Sequence, residues 1–266
     1  MLVLAASGLA GAQNSKALPQ PSHVVVVVEE NHAYDDVIGS ADAPYINQLA
    51  AEGASFTQSY AVTHPSEPNY LALFSGSTQG VKGNPCRSMF SAPNLGSELI
   101  AAGKTFTGFS EGLPAVGSQI CTSGKYARKH VPWVDFSNMP PDDNQPFTSF
   151  PTDFAKLPTV AWVIPNLDND MHDGSVARGD AWLKKNLADY LAWAQKNNSL
   201  LIVTWDEDED TDVNRIATIF VGPMVKPGKY SEKIDHYSVL RTLEAMYGLP
   251  YEGKSSSAKT IVDVWR

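Results

Sequence analysis

Three apolar stretches of the chain end in acidic, amide or imidazole side chains. The first is HVVVVVEENH (23–32), with five consecutive valines, and the others are WVIPNLDNDMHDG (162–174) and LLIVTWDEDED (200–210). Unbroken apolar runs are typical of strands that are buried on both faces, as in a parallel sheet. Because the carboxyl ends of parallel strands share one edge of an open sheet, the polar residues predict a single acidic site at that edge.

Segments with helical spacing of apolar residues alternate with these strands. The pattern predicts helices after Pro68 and at about 43–53, 94–103, 177–197 and 237–247, with further strands at 105–111, 159–164 and 216–221. This alternation predicts an α/β fold with a mostly parallel sheet and helices on both faces. A chain of 266 residues suits one such domain, which we place at 13–266, with an insertion on the substrate side at about 112–151.

The segment THPSEPNYLALFSGST (63–78) carries a serine between two prolines. Pro65 and Pro68 restrict the backbone, which predicts that Ser66 lies at a stiff corner just before a helix. A hydroxyl held there can be presented to a ligand, and the amides of a helix start favour an anion. The alternative is that Ser66 is simply the N-cap of that helix.

The acidic strand ends indicate a cation site. Carboxylates that gather in one place repel one another unless a cation or a proton lies between them. Oxygen ligands suit Mg²⁺, Ca²⁺ or Mn²⁺, and histidine admits Zn²⁺ or iron. A serine hydroxyl beside such an ion is activated as a nucleophile. The residues therefore predict metal-assisted attack on an electrophile, most naturally a phosphoryl group.

Several motifs, in order, resemble those of the bacterial phosphoesterase family, the branch of the alkaline phosphatase superfamily that holds secreted acid phosphatases and non-specific phospholipases C. They are EENHAYDDVIG (29–39), THPSEPNYLALFSGSTQG (63–80), KYARKHVPW (125–133), NDMHDGS (169–175), TWDEDE (204–209) and DHYSVLRTLE (235–244). The resemblance extends over about residues 22–250 and is strongest to small secreted acid phosphatases that act on phosphoinositides. It implies an alkaline-phosphatase-like fold and phosphatase activity.

The resemblance also implies roles for individual residues. Ser66 would be the nucleophile. The ligands of a divalent cation would be Glu30, Asn31, Ser66, Asp206 and Glu207. The phosphate would be bound by Asn69, Arg128 and Lys129, and would be contacted, or its leaving group protonated, by His130 and His172. Two-metal members of the superfamily carry Asp-His where this chain has Asp206-Glu207, so a second ion, at Asp168, His172 and His236, stays open.

The acidic run after the third apolar stretch and the histidine before Ser66 also have plainer interpretations. Asp208, Glu209, Asp210 and Asp212 are expected to form a solvated acidic loop rather than further ligands. His64 flanks Ser66 and could touch the substrate, although neighbouring residues of an extended segment rarely face the same way.

The charge of the chain restricts its partners. A net charge of −9 argues against a nucleic-acid-binding protein, because no basic tract is available to neutralise phosphates. The one compact basic segment is KYARKH (125–130). An anionic substrate must therefore be attracted by a bound metal and a few local cations.

The first residues and the cysteines indicate export. Residues 1–12 of MLVLAASGLAGAQ are typical of the end of a secretory signal peptide, and no later run is long enough for a membrane helix. In an oxidising compartment Cys86 and Cys121 would form a disulfide.

These observations together predict a secreted or periplasmic, metal-dependent acid phosphatase. It would hydrolyse small phosphate monoesters through a phosphoserine intermediate, with phosphoinositide headgroups among the substrates. The alternatives are a phospholipase C-type phosphodiesterase and a non-catalytic metal-binding surface protein.

Overall fold

A computed structural model describes residues 17–86 and 89–266, so the predicted leader at 1–12 lies outside the described residues. In chain order the strands are β1 (His23–Glu29), β2 (Ala54–Tyr60), β3 (Phe106–Ser110), β4 (Thr122–Ser123), β5 (Tyr126–Ala127), β6 (Asn144–Pro146), β7 (Val160–Ile164), β8 (Ser199–Trp205), β9 (Arg215–Ile216), β10 (Thr218–Val221) and β11 (Gly228–Asp235). The α-helices are α1 (Tyr34–Val37), α2 (Pro44–Glu52), α3 (Ser66–Ser75), α4 (Leu95–Ala101), α5 (Val176–Ala194) and α6 (His236–Tyr247).

One mixed sheet organises these elements. Within the described residues its order is β11-β2-β10-β8-β1-β7-β3-β6, with β9 paired to β2. Strands β8, β1, β7, β3 and β6 run parallel, β10 is antiparallel to both β8 and β2, and β11 is parallel to β2. Strand β2 therefore runs in the same direction as β1, and the carboxyl ends of β1, β2, β7, β8 and β11 lie at one edge. The predicted mostly parallel α/β fold is confirmed.

The valine run of β1 divides the core between the two faces of the sheet. Val24, Val26 and Val28 pack with residues of α3, α4 and α6, whereas Val25 and Val27 pack with residues of α1, α2 and α5. All five valines are fully buried, which stabilises the fold by about 1.5–3 kcal/mol for each side chain. The continuous apolar run thus reflects a strand covered by helices on both sides.

The predicted helices and strands are present with shifts of at most three residues at their ends, but β2 and β11 were missed. Their sequences, ASFTQSY and GKYSEKID, carry many polar residues. Strand β11 is the sheet edge, and alternate residues face solvent, so neither apolar content nor a buried run marks it. None of the described helices has the length and apolar character needed to cross a membrane.

Residues 112–151, the predicted insertion, lie between β3 and β7. They include the β4–β5 hairpin and edge strand β6, together with short 3₁₀ turns at Arg128–His130, Pro132–Asp135, Pro141–Asp143 and Phe147–Ser149. Tyr126, Trp133 and Phe136 pack into the main core from this segment. The predicted disulfide is present between Cys86 and Cys121 and ties the segment to the loop after α3.

A buried carboxyl group on α6 makes stability depend on pH. Glu244 is fully buried and accepts hydrogen bonds from the Glu252 amide (2.9 Å) and the Ser255 hydroxyl (2.6 Å). Burial raises the pKa of Glu244 to about 7 despite these bonds. The carboxyl ionises at a higher pH in the folded than in the unfolded chain, so its contribution is complete below about pH 4.5 and is lost as pH rises toward 7.

We predict that Glu244→Gln makes the protein more stable than the wild type above pH 7, by about 1–3 kcal/mol, and leaves stability near pH 4 similar. The amide keeps the shape of the side chain and cannot ionise. Urea unfolding across this pH range measures the effect, with the exposed Glu52→Gln as the control. A difference between Glu244→Gln and the wild type that does not change with pH would contradict the assignment.

Candidate active site

Acidic side chains from separate strands meet at the carboxyl edge of the sheet. Glu30 follows β1, Asp206 and Glu207 follow β8, and Asp170 lies in the loop after β7. The backbone amides join these segments, since the Glu30 amide donates to the Asp170 carbonyl (2.8 Å) and the Asp206 amide donates to the Glu29 carbonyl (3.0 Å). The four carboxyl groups are therefore fixed relative to one another by the strand ends.

Ser66 enters this cluster from α3. Its hydroxyl donates to Glu207 Oε1 (3.0 Å) and lies 3.3 Å from Glu30 Oε2. The helix begins at Ser66 itself, with Pro65 as the preceding cap residue, so the alternative that Ser66 is an N-cap is wrong. Ser66 is also only 2% exposed. The serine is thus a buried group that faces carboxylates.

Two side chains contact the Oε1 atom of Glu30. The Tyr70 hydroxyl donates to Oε1 at 2.5 Å, and His130 Nε2 lies 3.2 Å from the same oxygen. His130 is stacked on the Tyr70 ring, with its other nitrogen 3.4 Å from Asp170 Oδ2. His130 is buried at 1% exposure, which places it behind Glu30 rather than in an open cleft.

Asp206 and Asn31 each place a side-chain oxygen in the cluster that accepts no hydrogen bond from the described residues. The backbone amide of Asn31 lies 3.4 Å from Asp206 Oδ1. Asn31 has a left-handed backbone (φ 48°) that turns the chain at the end of β1. Within residues 17–86 and 89–266, Asn31 Oδ1 and Asp206 Oδ2 are buried without a hydrogen-bond partner. His236 holds the backbone at Asp206, because its Nε2 donates a hydrogen bond to the Asp206 carbonyl (2.7 Å).

His64 was undervalued by the sequence interpretation. Its Nδ1 lies 2.5 Å from Glu207 Oε2 and its Nε2 lies 3.1 Å from the Thr211 carbonyl. Both partners accept hydrogen bonds, so both ring nitrogens donate. Burial lowers the pKa of His64, but the bonds to Thr211 and Glu207 outweigh it and leave the pKa raised. The chain bends at residues 63–65 and Ser66 begins α3, so the rule for extended segments does not apply to His64, and no periodic pattern marked it.

Burial dominates the electrostatics of the carboxyl cluster. It raises the pKa of Glu30 and of Asp170 to about 7 each, although charges on neighbouring cationic groups oppose it. Burial, reinforced by Glu30 and Glu207, raises the pKa of Asp206 well above its usual range. Burial also lowers the pKa of His130 to about 3. The cluster therefore cannot carry its full negative charge without a compensating cation.

The donor set fits a divalent cation. The unpartnered oxygens of Asn31 and Asp206 lie beside the carboxylates of Glu30 and Glu207 and the Ser66 hydroxyl, and hard oxygen donors suit Mg²⁺, Mn²⁺ or Ca²⁺. In the described part of the chain, no three His, Cys, Asp or Glu side chains already surround one ion position. Glu30, Asp206 and Glu207 are therefore not arranged around one point, and a cation site formed by them with Ser66 and Asn31 stays a prediction.

The loop after β7 supplies a histidine that faces the solvent-accessible side. His172 Nε2 accepts a hydrogen bond from Lys129 (3.1 Å), and Nδ1 lies 2.8 Å from Asp173. The loop is turned by Met171, whose φ of 80° is rare for a residue with a side chain. This turn places Asp170 inside, bonded to the His172 amide (2.9 Å), and leaves His172 outside.

A cleft of about 460 Å³ opens beside these groups. His172 lies on its wall together with His64 and Asn31, and the acidic loop supplies much of the remainder, Glu207, Asp208, Glu209 and Asp210. Part of that loop is ordered by internal bonds, as the Thr211 hydroxyl and amide both donate to Asp208. The expectation of a simply solvated loop is therefore wrong for Asp208, which is 2% exposed.

Two predicted phosphate ligands have other partners. The Asn69 amide accepts from the backbone of Val62 and Thr63 and donates to the Thr63 carbonyl, so it shapes the loop before Ser66. Arg128 is buried and pairs with Asp135 at 2.7 Å. Phosphate binding by these two residues stays a prediction.

The three residues predicted to bind a second ion each contact different protein groups. Asp168 pairs with Lys125 (3.0 Å) and Arg178 (3.2 Å), while His172 and His236 have the partners described above. This arrangement gives no support to a second ion at these three residues, which stays a prediction.

Comparison with solved structures defines the class. A protein of the alkaline phosphatase superfamily from Vibrio parahaemolyticus superposes with a TM-score of 0.61 at 13% identity, over 93% of this chain and 72% of that one. The periplasmic domain of EptC from Escherichia coli, solved in complex with Zn, gives a TM-score of 0.60 at 11% identity, over 90% of this chain and 85% of that one. The chain has the fold of the alkaline phosphatase superfamily.

Sequence comparison defines the family. A model of the Phosphoesterase family matches residues 40–250. The phosphatidylinositol-3-phosphatase of Mycobacterium tuberculosis is 58% identical over 254 residues, covering 94% of this chain and 85% of the relative. An acid phosphatase of Aspergillus fumigatus is 31% identical over 260 residues, covering 88% of this chain but 57% of its own length. The chain belongs to the Phosphoesterase family, as the motifs indicated.

We predict that Asp206→Asn weakens uptake of Mn²⁺ and raises the melting temperature of the metal-free protein. The substitution removes one buried carboxyl from a cluster that repels itself, so it stabilises the empty site while it removes a ligand. Calorimetric titration and thermal unfolding measure the two effects. The exposed Asp212→Asn in the same loop is the control. Unchanged Mn²⁺ affinity in Asp206→Asn would exclude Asp206 from the cation site.

Proposed function

We propose that this chain is a metal-dependent phosphatase that hydrolyses phosphate monoesters through a phosphoserine at Ser66. The observation that carries the proposal is the Ser66 hydroxyl, held between Glu30 and Glu207 at the carboxyl edge of the sheet. Membership of the Phosphoesterase family and the phosphatase names of the relatives support the same reaction.

The reaction follows from the contacts of Ser66. As Ser66 Oγ attacks phosphorus, its proton passes to Glu207 Oε1, the oxygen that already accepts its hydrogen bond at 3.0 Å. The P–O bond to the leaving group breaks, the alkoxide takes a proton from the bonded pair Lys129 and His172, and the phosphoryl group remains on Ser66. A water molecule then attacks phosphorus and gives its proton to that pair, while the bond from phosphorus to Ser66 Oγ breaks and Glu207 returns its proton to Oγ as inorganic phosphate leaves.

The cation would be held by Glu30, Asn31, Ser66, Asp206 and Glu207. When bound, it would lower the pKa of the serine and offset negative charge on the phosphoryl oxygens. His64 keeps Glu207 in place from the side opposite Ser66, because the two carboxylate oxygens of Glu207 bond different partners. This arrangement leaves one Glu207 oxygen directed at the nucleophile.

His172 is the side chain best placed to serve the leaving group. It lines the cleft and is partly exposed, whereas His130 is buried against Glu30. Lys129 bonds His172 Nε2, so an ammonium proton is available at the same point. Through this bond Lys129 places a cation beside a cleft whose wall is otherwise largely acidic, which suits the orientation of a bound phosphate.

The substrate class follows from the close relative. We extend phosphoinositide monoesters to this chain because a phosphatidylinositol-3-phosphatase is 58% identical to it over nearly the whole length. The open cleft of about 460 Å³ has room for a phosphorylated headgroup. The disulfide between Cys86 and Cys121 favours an oxidising, extracytoplasmic location.

Replacing Ser66 with alanine should lower kcat by several orders of magnitude. Loss of stability should be modest, because the change removes one buried hydroxyl and its contacts with Glu207 and Glu30 but leaves the packing of α3 intact. Turnover of p-nitrophenyl phosphate measures the effect, with Ser75→Ala, a buried serine in the same helix, as the control. Activity above roughly a tenth of wild type, a barrier change of about 1.4 kcal/mol, would show that Ser66 is not the nucleophile.

The same assay separates the proposal from its alternatives. A phosphatase cleaves p-nitrophenyl phosphate in preference to bis-p-nitrophenyl phosphate. A phospholipase C-type enzyme shows the reverse preference, and a non-catalytic metal-binding protein cleaves neither compound.

A third variant tests the leaving-group role. If His172 protonates the leaving group, His172→Ala should lower kcat/KM for glycerol phosphate by about 10²–10⁴-fold and that for p-nitrophenyl phosphate far less, because p-nitrophenolate departs without a proton. His23→Ala, at the opposite end of β1, is the control. Equal losses for both substrates with unchanged metal content would instead assign His172 to phosphate binding.

A further inference from the structure

Tyr70 and Ser66 lie one helical turn apart on α3, and both direct a hydroxyl at Glu30. The Tyr70 hydroxyl bonds Oε1 at 2.5 Å, and the Ser66 hydroxyl lies 3.3 Å from Oε2. Residues four apart share one face of a helix, so a single turn of α3 contacts both oxygens of one carboxylate. We propose that Tyr70 is a positioning residue that fixes the Glu30 carboxylate and leaves Oε2 for the cation.

Tyr70 is built into the site rather than placed beside it by chance. Its side chain is fully buried, and its ring stacks on His130 at a centroid distance of 5.0 Å and an interplanar angle of 13°. His130 approaches the same Glu30 oxygen, with Nε2 at 3.2 Å. Two groups therefore gather on Oε1, and rotation of the carboxylate would break both contacts.

The contact can act on the cation only through Glu30. Tyr70 has no place in the cleft, whose wall is formed by other residues, so it is not a catalytic residue. Groups that orient the ligands of a metal typically change its affinity by about 10–100-fold when they are removed. A tyrosine that merely filled the core would instead be replaced by phenylalanine without effect on metal binding, since the ring and its packing remain.

The proposal rests on the cation site of the proposed function, and one titration tests the two separately. Mn²⁺ is titrated calorimetrically into metal-free wild type, Tyr70→Phe and Tyr190→Phe. Tyr190 is the matched control, because it is a fully buried tyrosine whose hydroxyl donates one bond (2.9 Å, to the Leu200 carbonyl) and whose ring packs on the other face of the sheet. Thermal unfolding of each metal-free protein reports the cost of the lost hydrogen bond.

The expected result is a Kd for Mn²⁺ that rises about tenfold or more in Tyr70→Phe and stays at the wild-type value in Tyr190→Phe. Saturating Mn²⁺ should restore most of the turnover of Tyr70→Phe, because the nucleophile is intact. Equal Kd values for Tyr70→Phe and wild type would overturn the positioning role while leaving the cation site in place. Absence of Mn²⁺ binding to wild type would overturn the cation site, and the positioning role with it. Equal weakening in both variants would also overturn the specific role of Tyr70.

Discussion

The architecture of this site depends on the burial of several carboxyl groups at one edge of a parallel sheet. Glu30, Asp170 and Asp206 are at most 1% exposed, and Glu29 beside them is fully buried. Burial raises the pKa of each, which disfavours full ionisation of the cluster unless a cation compensates the charge. The surroundings of the cluster are hydrogen-bond donors: the Tyr70 and Ser66 hydroxyls, the His64 ring and the Asn31 amide. The buried oxygens of Asn31 and Asp206 that these donors leave without a partner are the physical reason for proposing a cation at this edge.

Different elements of the fold position the buried carboxyl groups and the side chains around them. Rigid strand ends deliver the carboxylates, and their positions are locked by backbone bonds between neighbouring strands. Helix α3 delivers Ser66, the proposed nucleophile, and, one turn later, Tyr70, whose hydroxyl bonds Glu30. His64 and His236 contact Glu207 and the backbone of Asp206, so these two histidines act on the cluster from outside. His172, on the loop after β7, remains on the cleft side, where a substrate would enter.

Much of this arrangement could be predicted from the sequence, and the exceptions have physical causes. The valine run identified β1, and the acids after β1 and β8 identified the shared edge, because parallel strands leave little choice about where their ends lie. The inward-facing acid of the loop after β7 was harder to predict, because NDMHDG contains several acids and no periodic pattern. The left-handed turn at Met171 selects Asp170 for the interior, and Asp168 forms ion pairs at the surface. Tyr70 lies in an apolar segment, and no sequence pattern there indicates that its hydroxyl bonds a carboxyl group. Strands β2 and β11 are polar and gain their structure from neighbours, not from local preference.

The central claim is that Ser66 becomes phosphorylated during turnover. The stereochemistry at phosphorus tests it directly, using a monoester made chiral by oxygen isotopes and an acceptor alcohol that captures the phosphoryl group. Attack by Ser66 followed by attack of the acceptor inverts phosphorus twice, so the account predicts overall retention of configuration. Overall inversion would mean a single direct displacement, and would contradict a phosphoserine intermediate whatever the effect of substitutions at Ser66.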